Sequence, residues 1–348
     1  MTGRRPRGSG CTVAVMLLAL VAGVLAAGGP ERAGRYEHGV IWRAPWGKEA
    51  GQVGRAEGKD GQWYGPRSFA LHPDGRILLL DTFNQRVLVL GHNGELAATI
   101  PLDGMGYDDV AVSPGGTVYL ADNVKGELVW LDAGGSVAGR EAMRPEGVDV
   151  YLIEELAVGE KSVFVQEAGW TTTGFFRRVS FLKGRGEARR TLASVLVSVS
   201  GVREDTEGVI SEAVRGTVVA PDGCLYLDLH SPDGFVRRVQ VLSPRLEPWG
   251  QVELRTGTFI GEGSLVGVDG KGYLYYLLYG GEPAGLHRFD RKGQLVQVLD
   301  IPTTGHARLK RFVRVSPRGD VYFLCAREEG LSLEAYRLRQ VLRWRWRR

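Results

Sequence analysis

Short apolar runs separated by turn residues extend along most of the chain. Residues 72–100, HPDGRILLLDTFNQRVLVLGHNGELAATI, contain three such runs, each preceded by a turn at Pro73-Asp74-Gly75, Asn84-Gln85 or Asn93-Gly94. Short runs between turn residues predict β-strands. A strand with one face in water alternates apolar and polar residues, whereas a strand buried on both faces is apolar throughout. These strands are therefore predicted to be buried on both faces.

A turn followed by an apolar run recurs along the chain. The related segments are HPDGRILLLD (72–81), SPGGTVYLAD (113–122), VGEKSVFVQE (158–167), APDGCLYLDL (220–229), VDGKGYLYYL (268–277) and SPRGDVYFLC (316–325). An apolar run precedes each turn and one or two follow it, so each unit is expected to be a four-stranded antiparallel meander. Helical periodicity is nearly absent, and only LIEELA, residues 152–157, has the pattern of one helical turn.

Six such units, each of roughly 40 to 60 residues, match the periods that mark repeat architectures. A closed ring gives every sheet a neighbour on both faces, whereas a linear stack exposes the faces of its end units. The predicted fold is therefore all-β, a six-bladed β-propeller of four-stranded antiparallel blades. GVIW, residues 39–42, is a lone strand that we expect to pair into the last blade, so that N- and C-terminal strands close the ring. VLRWRW, residues 341–346, is a second candidate for the outermost strand of the last blade.

Residues 46–91 carry a more specific pattern. A glycine-rich lead with Gly61-Gln62-Trp63 and Pro66 is followed by two strands and by a closing motif of Asp81, Asn84 and Arg86. This segment resembles a unit of the NHL-repeat family. The second unit keeps Asp122-Asn123 but has Glu127 in the arginine region, and the others keep only the strand-turn-strand skeleton. As architecture the resemblance spans residues 39–346, and it too implies a six-bladed propeller.

The N-terminus has the pattern of an export signal. Three arginines precede the apolar run TVAVMLLALVAGVLAA, residues 12–27, which ends in small residues. This pattern predicts a signal peptide over residues 1–27, a linker over 28–38 and one propeller domain over 39–348. The protein is then secreted or held at the cell envelope. The alternative is an uncleaved membrane anchor formed by residues 12–27.

Composition and charge restrict the choice of partner. Hydrophobic content of 43% and charged content of 24% are those of a globular protein, and 50 glycines supply turns. The formal net charge of +4 is concentrated in the arginines of the N-terminal segment and of RLRQVLRWRWRR, residues 337–348. Without those two ends the body is acidic, so nucleic acid is not an expected partner. Membrane contact is expected only through the N-terminal segment or this C-terminal strand, and the protein is expected to be a monomer.

The loops that share one rim of a propeller are where function is expected. They are the loops between second and third strands (81–86, 122–127, 167–176, 228–235, 279–285 and 327–331) and those between blades (54–66, 102–108, 140–152, 200–215, 254–264 and 302–311). Aromatic and arginine side chains there can stack on sugars or anchor a protein. The candidate ligand contacts are Trp170, Tyr64, Tyr107, Arg86 and Trp63. For Trp63 the competing interpretation is packing between blades, and for Arg86 it is a structural contact that braces the neighbouring blade.

Catalytic chemistry has weaker support in the sequence. GxSxG and P-loop patterns are absent, and no segment matches the calcium-binding motifs of lactonase-like propellers. Metal-dependent lyases that resemble NHL propellers bring several histidines to the channel, whereas only two histidines here fall on the candidate rim. No cofactor is predicted, but a weaker alternative is a calcium or zinc site built from Asp81, Asp122, Asp228, His230 and His306.

Two functions follow from this sequence. The leading hypothesis is an exported or cell-envelope binding protein, not an enzyme, that presents the rim of its propeller to a protein, a peptide or a glycan. The alternative is a metal-dependent lyase or hydrolase with its site at the mouth of the channel. Cys224 and Cys325 lie in apolar runs and are expected to be small buried hydrophobic residues.

Overall fold

The structure is a computed structural model that describes residues 35–172, 174–183, 189–198, 203–205, 214–229, 234–255, 262–278, 285–302 and 306–339. The predicted signal segment, the strand expected at 341–346 and His230 lie outside these residues. No helix within the described ranges is both long and apolar enough to cross a membrane.

Strands account for nearly all regular structure in the described ranges. β1 (Arg35–Pro45) and a short hairpin of β2 (Ala56–Glu57) and β3 (Trp63–Tyr64) precede the first blade. Blade 1 consists of β4 (Ser68–Leu71), β5 (Ile77–Asp81), β6 (Arg86–Leu90) and β7 (Leu96–Pro101), with a 3-10 turn at Thr82–Asn84. Blade 2 consists of β8 (Tyr107–Val112), β9 (Val118–Asp122), β10 (Glu127–Leu131) and β11 (Val137–Ala142).

The remaining blades follow in chain order. Blade 3 contains β12 (Val150–Val158), β13 (Ser162–Thr171), β14 (Gly174–Lys183), β15 (Arg190–Ser198) and β16 (Arg203–Asp205). Blade 4 contains β17 (Val214–Val219), β18 (Leu225–Leu229), β19 (Val236–Leu242) and β20 (Pro248–Arg255). Blade 5 contains β21 (Gly263–Val268), β22 (Leu274–Leu278), β23 (Gly285–Phe289) and β24 (Leu295–Leu299). Blade 6 contains β25 (Val313–Val315), β26 (Val321–Ala326) and β27 (Gly330–Arg339).

The six blades form a closed ring. Each is an antiparallel meander, and the first strands of successive blades, β4, β8, β12, β17, β21 and β25, contact one another in order and back to β4. These inner strands surround the central channel, which confirms the predicted β-propeller. We call the end of the ring where the inner strands begin the upper rim; because the strands are antiparallel, the second strands end there too.

The ring explains why the strands are apolar at nearly every position. Described hydrophobic residues form six clusters, one between each pair of adjacent blades. In β5, Ile77 and Leu79 pack toward blade 6, whereas Leu78 and Leu80 pack toward blade 2. Successive side chains of a strand point to opposite faces, so each blade contributes to two cores. Cys224 and Cys325 are buried free thiols, as expected from their apolar surroundings.

The N-terminal strand closes the ring. The sheet order β1-β27-β26-β25 places β1 outermost in blade 6, so the pairing expected for residues 39–42 is confirmed and extends over the whole of β1. The Tyr36 hydroxyl donates to the Gly319 carbonyl at 2.9 Å, and His38 Nε2 lies 2.8 Å from Glu334 Oε2. A hydrogen-bonded edge on β27 is thereby covered by the other end of the chain.

Blade 3 departs from the regular pattern in two ways. It has a fifth short strand, β16, and β13 and β14 each have 10 residues where β5 and β6 have 5. The helical turn suggested by residues 152–157 is wrong, because this segment belongs to β12. A β-bulge between Ile153 and Glu155 interrupts the strand alternation, which explains why the sequence pattern is misleading there.

Candidate functional site

Charged pairs lie in or just before three of the inner strands, Asp108-Asp109 in β8, Glu154-Glu155 in β12 and Lys310-Arg311 before β25. The inner strands of four consecutive blades each contain a β-bulge, so that one residue of the strand has no partner across the sheet. The bulged residues are Asp108, Glu154, Arg215 and Val266. Bulges re-aim side chains and are frequent beside functional sites. Here they lie at the upper mouth of the channel.

Arg311 bridges two carboxylates across the channel. It precedes β25 of blade 6, and its Nη1 atom lies 2.6 Å from Asp109 Oδ2 of blade 2. Its Nη2 atom lies 2.6 Å from Glu155 Oε1 of blade 3. Nη1 also donates to the Leu156 carbonyl at 2.8 Å. A planar guanidinium can hold several oxygens in fixed directions, and here it joins three blades at one point.

A second ion pair lies beside the first. Lys310 Nζ donates to Asp108 Oδ2 at 2.6 Å, and Arg67 Nε donates to Asp108 Oδ1 at 2.5 Å. Asn123 Nδ2 adds a donor to Asp108 Oδ2 at 3.1 Å. Basic groups from blades 6 and 1 thus hold the bulge carboxylate of blade 2, and together with Arg311 they fill this half of the channel mouth.

The other half of the mouth keeps a cavity of about 210 Å³ between blades 3, 4, 5 and 6. Five basic side chains line it, from Arg177, Arg215, Lys310, Arg311 and Arg314. Two carboxylates, Glu154 and Glu155, and the amide of Gln166 lie on the blade 3 side. The apolar part of the wall comes from Leu265, Val266, Leu277, Phe312 and Val313.

Glu154, the bulge residue of blade 3, is held from within its own blade. Arg177 Nη2 donates to Glu154 Oε1 at 2.7 Å, and Gln166 Nε2 donates to Glu154 Oε2 at 3.0 Å. Thr217 of the next blade donates its hydroxyl to Gln166 Oε1 at 3.3 Å. The carboxylate is therefore fixed at the edge of the cavity by two donors that themselves line it.

The pKa values of the titratable groups at the mouth are shifted in different directions. Burial raises the pKa of Glu155 and the neighbouring Asp109 adds to this, although Arg311 opposes it. Burial would also raise the pKa of Asp109, but Arg311 and Arg314 outweigh it and the pKa is lowered. Burial lowers the pKa of Arg314 to about 9, and the like charge of Arg311 contributes. Carboxyl groups whose pKa values are driven apart in one cleft are typical of functional sites.

Trp170 and the hairpin β2–β3 lie on the upper rim. Trp170 is 55% exposed at the end of β13 and packs on Phe175 with ring centroids 4.9 Å apart. Trp63 is 41% exposed, and the guanidinium carbon of Arg55 lies 4.4 Å from the centroid of the Trp63 ring. Tyr64 lies 6.0 Å from the guanidinium of Arg67, which links this hairpin to the ion pairs of the channel mouth.

Tyr107 and Arg86 have structural partners. Tyr107 is buried, and its hydroxyl donates to Asp103 Oδ1 at 2.6 Å. Arg86 Nε donates to Asp81 Oδ2 at 2.9 Å, and its Nη2 donates to the Gln52 carbonyl at 2.7 Å. These contacts are consistent with a structural role, the competing interpretation for Arg86. Of the five candidates, Trp170 and Trp63 have large exposed hydrophobic side chains.

The described residues that were considered for a metal, Asp81, Asp122, Asp228 and His306, lie in or beside different blades. Asp81 accepts from Gly54 N at 2.9 Å as well as from Arg86, and Asp122 accepts from the backbone of Val124 at 3.0 Å. Asp228 is buried in blade 4, and His306 is exposed before β25. Within the described ranges, no group of three or more His, Cys, Asp or Glu side chains is arranged to hold a metal ion.

The charged residues at the channel mouth are not among the site residues predicted from the sequence, although they lie on the predicted rim. Charged pairs beside short apolar runs, Asp108-Asp109, Glu154-Glu155 and Lys310-Arg311, were the available signal. The inner strands line the channel. A charged side chain at the upper end of an inner strand therefore contacts either water or an oppositely charged group at the channel mouth.

Comparisons with known proteins support the fold. No protein-family model matches the sequence, and no curated protein matches it significantly. A gluconolactonase from Xanthomonas campestris aligns with a TM-score of 0.53 and 13% identity, over 91% of this chain and 93% of its own. A streptogramin B lyase aligns with a TM-score of 0.48 and 10% identity, over 81% and 97%. Regucalcin from Agrobacterium tumefaciens, described as a calcium-binding protein, aligns with a TM-score of 0.47 and 14% identity, over 86% and 97%.

At these identities the similarity shows the six-bladed β-propeller class and nothing finer. The NHL-repeat resemblance of residues 46–91 stays a prediction. Its closing motif nevertheless has a clear structural role here, since Asp81 binds Asn84, Arg86 and the backbone of Gly54.

Proposed function

We propose that the protein is an exported or envelope-bound, monomeric binding protein that holds a protein, peptide or glycan on its upper rim. The observation that carries this proposal is the projecting end of blade 3. When blades 1 and 3 are compared by their strand pairing, Gln166 of β13 corresponds to Leu80 of β5. β5 ends one residue after Leu80, whereas β13 continues for five residues after Gln166, to Thr171. At about 3.3 Å per residue, the strand rises roughly 13 Å beyond the matching end of blade 1.

The projecting end carries an exposed apolar surface. Val150, Leu152 and Trp170 are 51%, 48% and 55% exposed, and Val150 is the cross-strand partner of Trp170. Met105, Val124 and Phe235 add exposed apolar side chains to neighbouring loops of the same rim. A tryptophan beside smaller apolar groups, close to a charged mouth, is the composition of a binding hot spot with a polar border.

Replacement of Trp170 by alanine tests this proposal. We expect Trp170→Ala to reduce binding about tenfold or more on arrays of immobilised glycans and peptides, without changing the melting temperature. Trp249→Ala is the matched control, because Trp249 is 68% exposed but begins β20 on the opposite rim. Equal array signals for the wild type and both variants would contradict the proposal. Export itself is tested by mass spectrometry of the mature N-terminus, which we expect after Ala26 or Ala27.

A second candidate function, a lyase or hydrolase at the channel mouth, is favoured by a different observation. Glu155 and Asp109 share Arg311, yet the pKa of Glu155 is raised and that of Asp109 is lowered. Such a pair can supply an acid and a base. Stoichiometric retention of calcium or zinc after dialysis, lost in His306→Ala, would favour the metal-dependent form of this function over the binding protein.

A further inference from the structure

The channel mouth contains more positive than negative groups. It has six basic side chains, those of Arg67, Arg177, Arg215, Lys310, Arg311 and Arg314. It has four carboxylates, those of Asp108, Asp109, Glu154 and Glu155. Five of the six basic groups also line the cavity, whereas Asp108 and Asp109 do not. The charged side chains that line the cavity are therefore mainly basic, five against two carboxylates.

Burial makes this positive charge costly. Arg314 donates from Nε to the Phe69 carbonyl at 2.7 Å, and its Nη2 lies 3.6 Å from Asp109 Oδ1. Its pKa is nevertheless lowered by burial and by Arg311. Buried charge is stabilised by a partner of opposite sign, and a guanidinium lining a cavity fits the two oxygens of a carboxylate. A bound anion would thus offset part of the free-energy cost of burying the Arg314 guanidinium.

The apolar wall distinguishes an organic anion from an inorganic one. Leu265, Val266 and Leu277 of blade 5 face the same cavity as Arg215 of blade 4 and Arg177 of blade 3. An inorganic oxyanion would leave this wall in contact with water, whereas a hydrocarbon group would cover it. The volume of about 210 Å³ is below the range typical of drug-sized ligands, so the ligand is small.

We propose that this cavity is a binding site for a small organic carboxylate. Its carboxylate group binds among the cavity guanidinium groups, with Arg215 as the anchor, because the bulge of β17 directs this side chain into the cavity. Its hydrocarbon group packs against Leu265, Val266 and Leu277. The site is separate from the apolar surface around Trp170, so either can exist without the other.

Titration with hexanoate, its neutral analogue hexanamide and inorganic phosphate tests the inference at constant ionic strength, by calorimetry on the purified mature protein. We expect saturable binding of one hexanoate per chain, and binding at least about tenfold weaker for hexanamide and for phosphate. No saturable hexanoate binding would overturn the proposal. Equal binding of hexanamide, or equal binding of phosphate, would overturn it as well.

Three variants locate the site. Arg215→Gln should weaken hexanoate binding about tenfold or more, whereas Arg245→Gln, in an exposed turn on the opposite rim, should leave it unchanged. Val266→Phe fills the cavity without altering any charge and should abolish binding. Since Val266 is only half-buried, the fold should tolerate this change, which keeps the test valid if Arg215→Gln does not fold. Undiminished binding in Val266→Phe would overturn the proposal, and Trp170→Ala should bind hexanoate normally.

Discussion

Buried acidic residues near the ends of the second strands differ in how many hydrogen bonds their carboxylates accept. Asp81 accepts hydrogen bonds from Arg86, Asn84 and a backbone amide, so its charge is fully compensated. Glu167 lies at the matching position of blade 3 and accepts from Tyr151 and Ser180, each at 2.5 Å. Asp228 is equally buried, but the Leu265 amide reaches it only at 3.4 Å. Burial consequently raises the pKa of Asp228 to about 7.

Asp228 should make the stability of the protein depend on pH. Because its pKa in the folded state is raised above the ordinary value, the native protein keeps a proton that the unfolded chain releases. Stability is therefore lost as the pH rises from about 4 through about 7, by about 1.4 kcal/mol for each pH unit. Asp228→Asn should flatten this decline and raise the melting temperature at pH 8 but not at pH 4.

Thermal unfolding followed across this pH range measures the effect. Asp149→Asn, the same chemical change at an exposed position, should leave the pH profile as in the wild type. If Asp228→Asn retained the wild-type decline between pH 4 and pH 7, the assignment to Asp228 would be wrong.

At the level of strands, β1 depends on close backbone contact. A Cβ atom added at Gly330 of β27 would lie 2.1 Å from the Ala44 carbonyl oxygen and 2.9 Å from Pro45 Cα. Both contacts are to backbone of β1, which cannot move aside as a flexible side chain would. Glycine at this position therefore allows the two ends of the chain to pair and close the ring.

Gly330→Ala should destabilise the protein through this contact. We expect a loss of about 1–3 kcal/mol in the free energy of unfolding, the usual cost of overpacking. Gly39→Ala is the control, because nothing lies within 4 Å of a Cβ added at that position of β1. Urea unfolding of both variants provides the comparison, and equal midpoints for the two would contradict a closure that depends on Gly330.

Across the whole molecule, the ring is joined at its centre as well as at its ends. Arg311 reaches from blade 6 to carboxylates of blades 2 and 3, which the circular order of blades places away from its own neighbours. Asp109 is completely buried, so its charge depends on this partner. A buried carboxylate without its partner is strongly destabilising, whereas a matched apolar or neutral set often is not.

Arg311→Met should therefore reduce the free energy of unfolding by about 3–5 kcal/mol at neutral pH. The triple variant Arg311→Met, Asp109→Asn, Glu155→Gln removes the unpaired charges together with the arginine and should recover part of this loss. Urea unfolding at pH 7 is the measurement. A triple variant less stable than Arg311→Met would show that the carboxylates do not depend on Arg311.

The fold was largely predictable, because the repeat is local. Each unit carries its own turn and its own doubly buried strands, as in residues 72–81, and six copies imply a ring. The site was less predictable. Bulges at Asp108, Glu154 and Arg215 break the alternation on which strand prediction depends, and the length of blade 3 became evident only from its pairing.

The sequence by itself determined the number of blades, the burial of their strands and the role of the N-terminal strand in closure, since these follow from the repeated pattern and from the lone strand that precedes the first unit. The tertiary structure alone decided which charged residues meet. Asp109 and Arg311 are separated by 202 positions and come within 2.6 Å only because the ring closes. No local pattern encodes that distance, because it depends on the radius of the channel, which all six blades set together.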